Sequence, residues 1–195
     1  MKLLLATRNT KKLDELRRIL AGADLPVELV GLDADVPDVP ETGLTFEENA
    51  LIKARAGATA TGLPAVADDS GIAVDALNGM PGVFSARWAG RHGDDRANLE
   101  LVLAQLGDVP DEHRGAAFVC AAALVLPGGG EFVTHGRQPG RLIRSPRGDG
   151  GFGYDPIFVA AGLDRTNAEL TAAEKDAISH RGQAFRALAE IIATL

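Results

Sequence analysis

At the start of the chain, short apolar runs alternate with segments of helical period, and that order leaves few folds open. Lys2–Ala6 reads as a strand, and Lys11–Ala21 as a helix with Leu13, Leu16, Ile19 and Leu20 on one face. Val27–Leu32 reads as a second strand, followed by a loop rich in Pro and Asp over Asp33–Gly43. Thr45-Phe46-Glu47-Glu48 has the form of a capping box, with Thr at the cap and Glu three residues on. It opens an Ala-rich helix running to about Thr61, with Gly62 past its end. A third strand, Ala65–Ala67, completes a strand–helix–strand–helix–strand order. Such alternation, followed further on by a hairpin and more helices, predicts an α/β protein with a mixed β-sheet flanked by helices.

The third strand ends on Asp68 and Asp69, then Ser70 and Gly71. The carboxyl end of a strand is where an open α/β sheet places its ligand crevice. Successive strand residues point to opposite faces, so the two carboxylates share a face only if the strand ends between them. A hard divalent cation such as Mg²⁺ takes oxygen ligands and keeps several waters, and a carboxylate beside such a water is placed to accept its proton. The plainer alternative is that Asp68 is a turn residue and Asp69 a helix cap.

Charge narrows the partners. The net charge of the 195 residues is −7, and no block of Lys and Arg forms a tail or stripe, which argues against duplex nucleic acid as a partner. A small anionic substrate remains open, because a few placed cations and a metal neutralise it locally. The one cysteine, Cys120, lies in an apolar run and reads as a buried hydrophobe. No apolar stretch is long enough to span a membrane, and Arg8 and Lys11 come too soon after the N-terminus for a signal-peptide core. Together these point to a cytoplasmic protein of one domain, residues 1–195, with no sharp internal boundary.

Further along, Gly71–Ala76 reads as a short strand, Asp94 or Asp95 as the cap of a helix ending near Leu106, and Ala116–Leu126 as a long apolar strand. Glu131–His135 pairs back on it through the Gly128–Gly130 turn, and Gly140–Ile143 and Ile157–Val159 read as two more strands. Thr171–Glu174 is another capping box, and Ser179 is the candidate cap of the last helix.

Four further stretches carry candidate chemistry. Thr7-Arg8-Asn9-Thr10-Lys11-Lys12 joins a strand to a helix, and a helix N-terminus with hydroxyls and lysines suits a phosphate chain, although the glycines of a Walker loop are missing. A plain helix cap with solvated lysines is the alternative. Glu41, ahead of the second helix, has no capping role and is a candidate metal ligand. Phe152-Gly153-Tyr154-Asp155 sets two aromatic rings among glycines, where a ring can stack on a flat ligand and Asp155 can accept from a base edge, unless it is a tight turn over a buried Phe. Lys175, Ser179, His180 and Arg181 bring polar groups to the start of the last helix. Arginine only donates, so a site donating to a purine O6 would reject adenine.

Taken in order, these blocks resemble the inosine triphosphate pyrophosphatase family, whose members act on non-standard purine nucleotides. The matching residues are Thr7-Arg8-Asn9 with Lys12 and Glu15, Glu41-Thr42-Gly43, Phe46–Ala50 with Lys53-Ala54, and Ala67–Gly71. They continue through Pro81-Gly82-Val83, Ser85-Ala86-Arg87, Gly151–Pro156, Ala168-Glu169-Leu170, Lys175 and Ser179–Gly182, so the likeness covers almost the whole chain. The resemblance implies an elongated mixed sheet in two lobes with a central cleft, a homodimer, and hydrolysis of dITP, ITP and XTP to the monophosphate and pyrophosphate with Mg²⁺. It implies Asp69 as general base, Asp69 and Glu41 as metal ligands, and Thr7–Lys12 as the phosphate site. Ser70, Phe152–Asp155, Lys175, His180 and Arg181 would hold the nucleotide. Pro40 stands where some relatives carry a second acid, and Arg8 where a small residue is common. Two other readings stand beside this one. Maf-like nucleotide pyrophosphatases act on other nucleotides, but the Phe-Gly-Tyr-Asp and Ser-His-Arg blocks argue against them. A nucleotide sensor without turnover is the other, and Asp69 with Glu41 argues against it.

Overall fold

Strands that are apolar at every position have no face to give to water, and the chain buries them by covering both. In a computed structural model that describes residues 2–22, 27–32, 36 and 38–195, β1 (Lys2–Leu5) pairs in parallel with β2 (Glu28–Gly31) on one side and β3 (Ala65–Val74) on the other. β4 (Gly115–Val125), β5 (Glu131–Leu142) and β6 (Phe158–Ala160) complete a six-stranded sheet of order β2-β1-β3-β4-β5-β6. β5 and β6 are antiparallel, so the sheet is mixed as expected. Part of the predicted loop at residues 33–43 lies outside the described residues.

The chain divides into two compact units. The first comprises residues up to Asp69, Cys120–Gly136 and Arg181–Leu195; the second comprises Ser70–Val119 and Arg137–His180. In the first, the period of two is complete. Leu3, Leu5, Val66, Cys120, Ala122 and Leu124 pack with α1 (Thr10–Ala21) and α5 (His180–Ile192), through Leu16, Ile19, Leu20, Phe185 and Leu188. Their neighbours Leu4, Ala6, Ala65, Ala67, Ala121 and Ala123 pack with α2 (Phe46–Thr61). That helix turns Ala50, Ala54 and Ala58 to the sheet, and a Cβ on Gly57 would stand 2.9 Å from Leu4 Cδ2. Small residues let α2 lie close, and this close seat brings its first two turns within reach of β3.

The second unit is built around Ile72, Val74, Leu142, Ile157 and Phe158, against Leu99, Val102 and Leu106 of α3 (Asp95–Gln105) and its cap. The short α4 (Ala172–Ile178) completes it. Arg114 is buried and donates to the carbonyls of Leu106 and Leu142, so a cation meets the carboxyl end of α3. The expected caps are present at Thr45, Asp94 and Thr171, and Gly62 takes the left-handed conformation after α2.

Two expectations are corrected. β3 does not stop at the acidic pair but runs on to Val74, absorbing most of the predicted strand at Gly71–Ala76, because Ile72 and Val74 have a second core to enter. The segments Glu131–His135 and Gly140–Ile143 are joined in one strand, β5, which accommodates Pro139. Ser179 closes α4, its N–H donating to the Lys175 carbonyl, and stands immediately before α5, which begins at His180.

Candidate active site

Because β3 continues through the acidic pair, Asp68 and Asp69 face opposite ways, and each meets a different helix. Asp68 lies on the α1 and α5 side, where Lys12 Nζ stands 3.0 Å and Arg181 Nε 3.2 Å from its Oδ2. Arg181 Nη1 also reaches Glu15 Oε2 at 2.7 Å. Glu15, Asp68 and Arg181 are all buried, and Glu15 Oε1 and Asp68 Oδ1 find no hydrogen-bond partner among the described residues. Burial pushes the Asp68 carboxyl up, but Lys12, Arg181 and Lys53 overcome it and hold the group ionised far below the usual carboxylate range. The same acids hold Arg181 charged against its own burial.

Asp69 lies on the α2 side. Asn49 Nδ2 donates to its Oδ2 at 3.0 Å, and Lys53 Nζ stands 3.7 Å from Oδ1 while donating to Glu41 Oε1 at 2.6 Å. Burial raises the Asp69 carboxyl; Lys53 opposes the rise and Glu41 adds to it. The lysine is held charged, against burial, by Asp69, Asp68 and Glu41. Two adjacent strand residues are therefore tuned in opposite directions: cations hold the Asp68 carboxyl down, and burial raises that of Asp69.

Among the described residues, no group of three or more His, Cys, Asp and Glu side chains is arranged to enclose a metal ion. The donors do fit a hydrated hard cation. Glu41 and Asp69 both turn toward one cationic group, the Lys53 ammonium, and a cation held by one or two carboxylates takes waters and phosphate oxygens in its other positions.

The loop before α1 is open to solvent from Arg8 to Lys11. Asn9 caps the helix by accepting from Lys12 N at 3.2 Å, and Thr7 Oγ1 accepts from Asn9 N at 3.3 Å. Thr10 opens the helix and Lys11 is exposed on it. Arg8 donates to the Val36 carbonyl and pairs with Asp38 at 3.1 Å, so its guanidinium is turned to the following loop.

In the second unit, the glycine-rich segment is fastened from several sides. Asp155 Oδ2 accepts from Phe152 N at 2.9 Å and from Lys175 Nζ at 2.6 Å, and that ammonium lies 4.9 Å from the Phe152 ring centroid. Gly153 N donates to Asp95, and Tyr154 Oη donates to the Ser85 carbonyl at 2.8 Å. Gly151 has φ +69°, and a Cβ there would collide with the Asp155 carboxylate. His180 stacks on Phe118 with ring centroids 4.9 Å apart. Ser70 follows Asp69 on β3.

The structure thus gathers Lys12, Glu41 and Asp69 in one unit and Phe152, Asp155 and Lys175 in the other. Asp155, expected to read a base edge, is bound within the protein, and Arg181, expected to face a purine O6, spends two donors on Asp68 and Glu15. Sequence reasoning left out Asn49 and Lys53 as site residues, although their i, i+4 spacing on α2 puts them on one face. Glu15 and Asp95 carried no local signal of their role.

A mixed sheet covered on both faces, with carboxylates and lysines at a strand–helix junction and an aromatic glycine-rich loop, places the chain among the α/β proteins that process nucleotides. The chain belongs to the Ham1 family, whose sequence profile matches residues 3–191. A relative from Streptomyces coelicolor, a dITP/XTP pyrophosphatase, is 65% identical over 196 aligned positions, covering 100% of this chain and 98% of its own. A dITP/XTP pyrophosphatase from Mycobacterium tuberculosis is 61% identical, with 100% of this chain and 96% of that one covered. Among solved structures, a nucleoside-triphosphatase/dITP/XTP pyrophosphatase from Mycobacterium abscessus is 64% identical with TM-score 0.78, covering 98% of each chain. A HAM1 protein from Coxiella burnetii is 44% identical with TM-score 0.90, covering 100% of each.

Proposed function

We infer that this protein hydrolyses non-standard purine nucleoside triphosphates, dITP, ITP and XTP, to the nucleoside monophosphate and pyrophosphate. The observation that carries the chemistry is the contrast between the two adjacent aspartates. Asp68, pinned by Lys12 and Arg181, holds the Lys12 ammonium at the start of α1, beside the phosphate loop of Thr7, Asn9, Thr10 and Lys11. Asp69 is raised by burial and fixed by Asn49, which suits it to take the proton of an attacking water. Glu41 and Asp69 would hold Mg²⁺, which when bound neutralises phosphate charge and polarises the anhydride. Lys53, between them, keeps the two carboxylates together when no metal is present. Arg8, salt-bridged to Asp38, is left out of the phosphate set.

The nucleoside falls to the second unit. Phe152 is the stacking ring, with Gly153 and Tyr154 setting its loop, and Asp155 and Lys175 fixing its position. Ser70 and His180 complete the contacts to substrate. Arg181 acts on the substrate indirectly, through Asp68 and Lys12. The homodimer is carried over from the family resemblance.

The test is turnover of dITP and XTP against dATP and dGTP, with release of pyrophosphate followed against that of orthophosphate. Pyrophosphate from dITP and XTP at kcat/KM far above the values for dATP and dGTP is the expected outcome. Comparable rates on all four, or orthophosphate as product, refutes the reading.

A further inference from the structure

We propose that the buried amide pair Gln138–Asn167 is a positioning element for nucleotide binding, orienting Asp155 so that it presents Phe152 and Lys175 to the base. It rests on the reading of Phe152 as the stacking ring.

Asp155 is 2% exposed, and Phe152 N, Lys175 Nζ and Asn167 Nδ2 donate to its carboxylate. One oxygen takes Phe152 N and Lys175 Nζ. The other takes Asn167 Nδ2 at 3.3 Å. The same Nδ2 donates to Gln138 Oε1 at 3.1 Å, and Gln138 Nε2 donates back to Asn167 Oδ1 at 3.2 Å. Gln138 and Asn167 are 3% and 1% exposed, so the pair is buried and its two amides bond to each other. A carboxylate only accepts; it therefore dictates which end of Asn167 faces it, and Asn167 in turn dictates the orientation of Gln138. A buried network of this kind has one arrangement, and losing a member leaves the rest unpaired.

The consequence reaches the ring by two routes. Asp155 fixes the Phe152 backbone directly, and it fixes the Lys175 ammonium over the face of the ring. If the carboxylate rotates, both shift. Gly151 leaves room for this carboxylate where any side chain would strike it. The chemistry of the first unit does not pass through these residues, so the effect belongs in KM rather than kcat. The charged groups about Asn167 are Asp155 and Lys175, with Glu169 on the same turn accepting from Thr166 N and paired with Arg147 at 3.5 Å.

The test is Asn167→Asp, measured with dITP from pH 6 to pH 9 and expressed as the ratio of variant to wild-type KM at each pH. At pH 6 the introduced acid is protonated beside Asp155 and gives its one proton to it, so Gln138 Oε1 loses its donor and melting temperature falls somewhat, while Asp155 stays oriented and KM stays near wild type. Two carboxylates this close do not both ionise at low cost, so its proton comes off only at higher pH. The KM ratio should then rise by about tenfold, roughly the loss expected when base stacking is weakened, while kcat stays within about twofold. Asn167→Leu, which cannot donate at any pH, should show the raised KM throughout. A KM ratio for Asn167→Asp that stays near one across the range overturns the proposal. A fall in kcat instead of a rise in KM overturns it too, as does failure of Asn167→Asp to fold at pH 6, which would make the pair structural only. Phe152→Ala separates this inference from the reading beneath it. Unchanged dITP KM in Phe152→Ala removes the ring as base platform. Raised KM there, with a flat ratio for Asn167→Asp, removes only the amide pair.

Discussion

Replacing Arg181 by methionine should cost more in stability than most substitutions in this chain, and the structure says where the cost arises. The guanidinium is 1% exposed and joins two buried acids, Glu15 and Asp68. Methionine keeps much of the volume, so the cavity term is small, and the loss is one of charge. Asp68 retains Lys12 at 3.0 Å. Glu15 loses the partner of its Oε2, and its Oε1 has none among the described residues. Removing one member of a buried ion pair costs ~3–5 kcal/mol, because the other charge stays buried and uncompensated. For a domain of this size that corresponds to a fall in Tm of roughly 6–20 °C. Thermal unfolding followed by circular dichroism measures it. Glu15→Gln added to Arg181→Met should recover part of the loss, since it removes the stranded charge, and a double-mutant cycle then reports the coupling. A fall below roughly 3 °C, about 1 kcal/mol, or a double variant no more stable than Arg181→Met alone, would refute the argument that this cation balances Glu15.

Asp69→Asn should lower kcat by at least ~10²-fold with little change in Tm, as expected for loss of a positioned base in an isosteric swap; near-normal turnover would remove it from catalysis. Hydrolysis should stop in excess EDTA and return with Mg²⁺ or Mn²⁺, because Glu41 and Asp69 offer oxygen ligands; full activity in EDTA would refute the metal assignment. Gly151→Ala should raise KM for dITP and lower Tm, since its φ of +69° is strained for an L side chain and the methyl meets Asp155; wild-type KM would show that the loop yields freely. Arg165, with the Thr171 backbone and hydroxyl, holds the Glu174 carboxyl down to about 2. A depressed carboxyl stabilises the fold above its unfolded value and loses that contribution as pH falls through the folded one, so wild type should lose Tm more steeply than Glu174→Gln between roughly pH 4 and pH 2. Superimposable acid limbs in Tm would mean that the exposed pair does nothing for stability.

Much of the architecture is legible in local pattern. The capping boxes at Thr45 and Thr171, the helix stop at Gly62 and the apolar runs of β1, β3 and β4 are signals read within a few residues, because caps and periodicity act over one or two turns. The loop before α1, the acidic pair and the aromatic glycine-rich loop are legible for the same reason: each is a contiguous stretch whose residue types already limit its chemistry. The length of β3 was not legible in this way. Ser70-Gly71 reads as a stop, and only a second core waiting for Ile72 and Val74 keeps the strand going. That continuation turns the two aspartates to opposite faces and gives them different partners, Lys12 and Arg181 for Asp68 and Asn49 and Lys53 for Asp69, a distinction invisible in the letters Asp-Asp.

What the sequence determined by itself is the set of parts: an α/β order, three candidate ligand segments, and a family likeness spread over the whole chain. What the tertiary structure alone decided is which charges meet. Glu15 and Arg181 are 166 residues apart in the chain, and Gln138 and Asn167 are 29 apart. No spacing rule connects them, because burial and electrostatic pairing depend on distance through the folded interior, and that distance exists only once α1, α5 and the strands between them have packed.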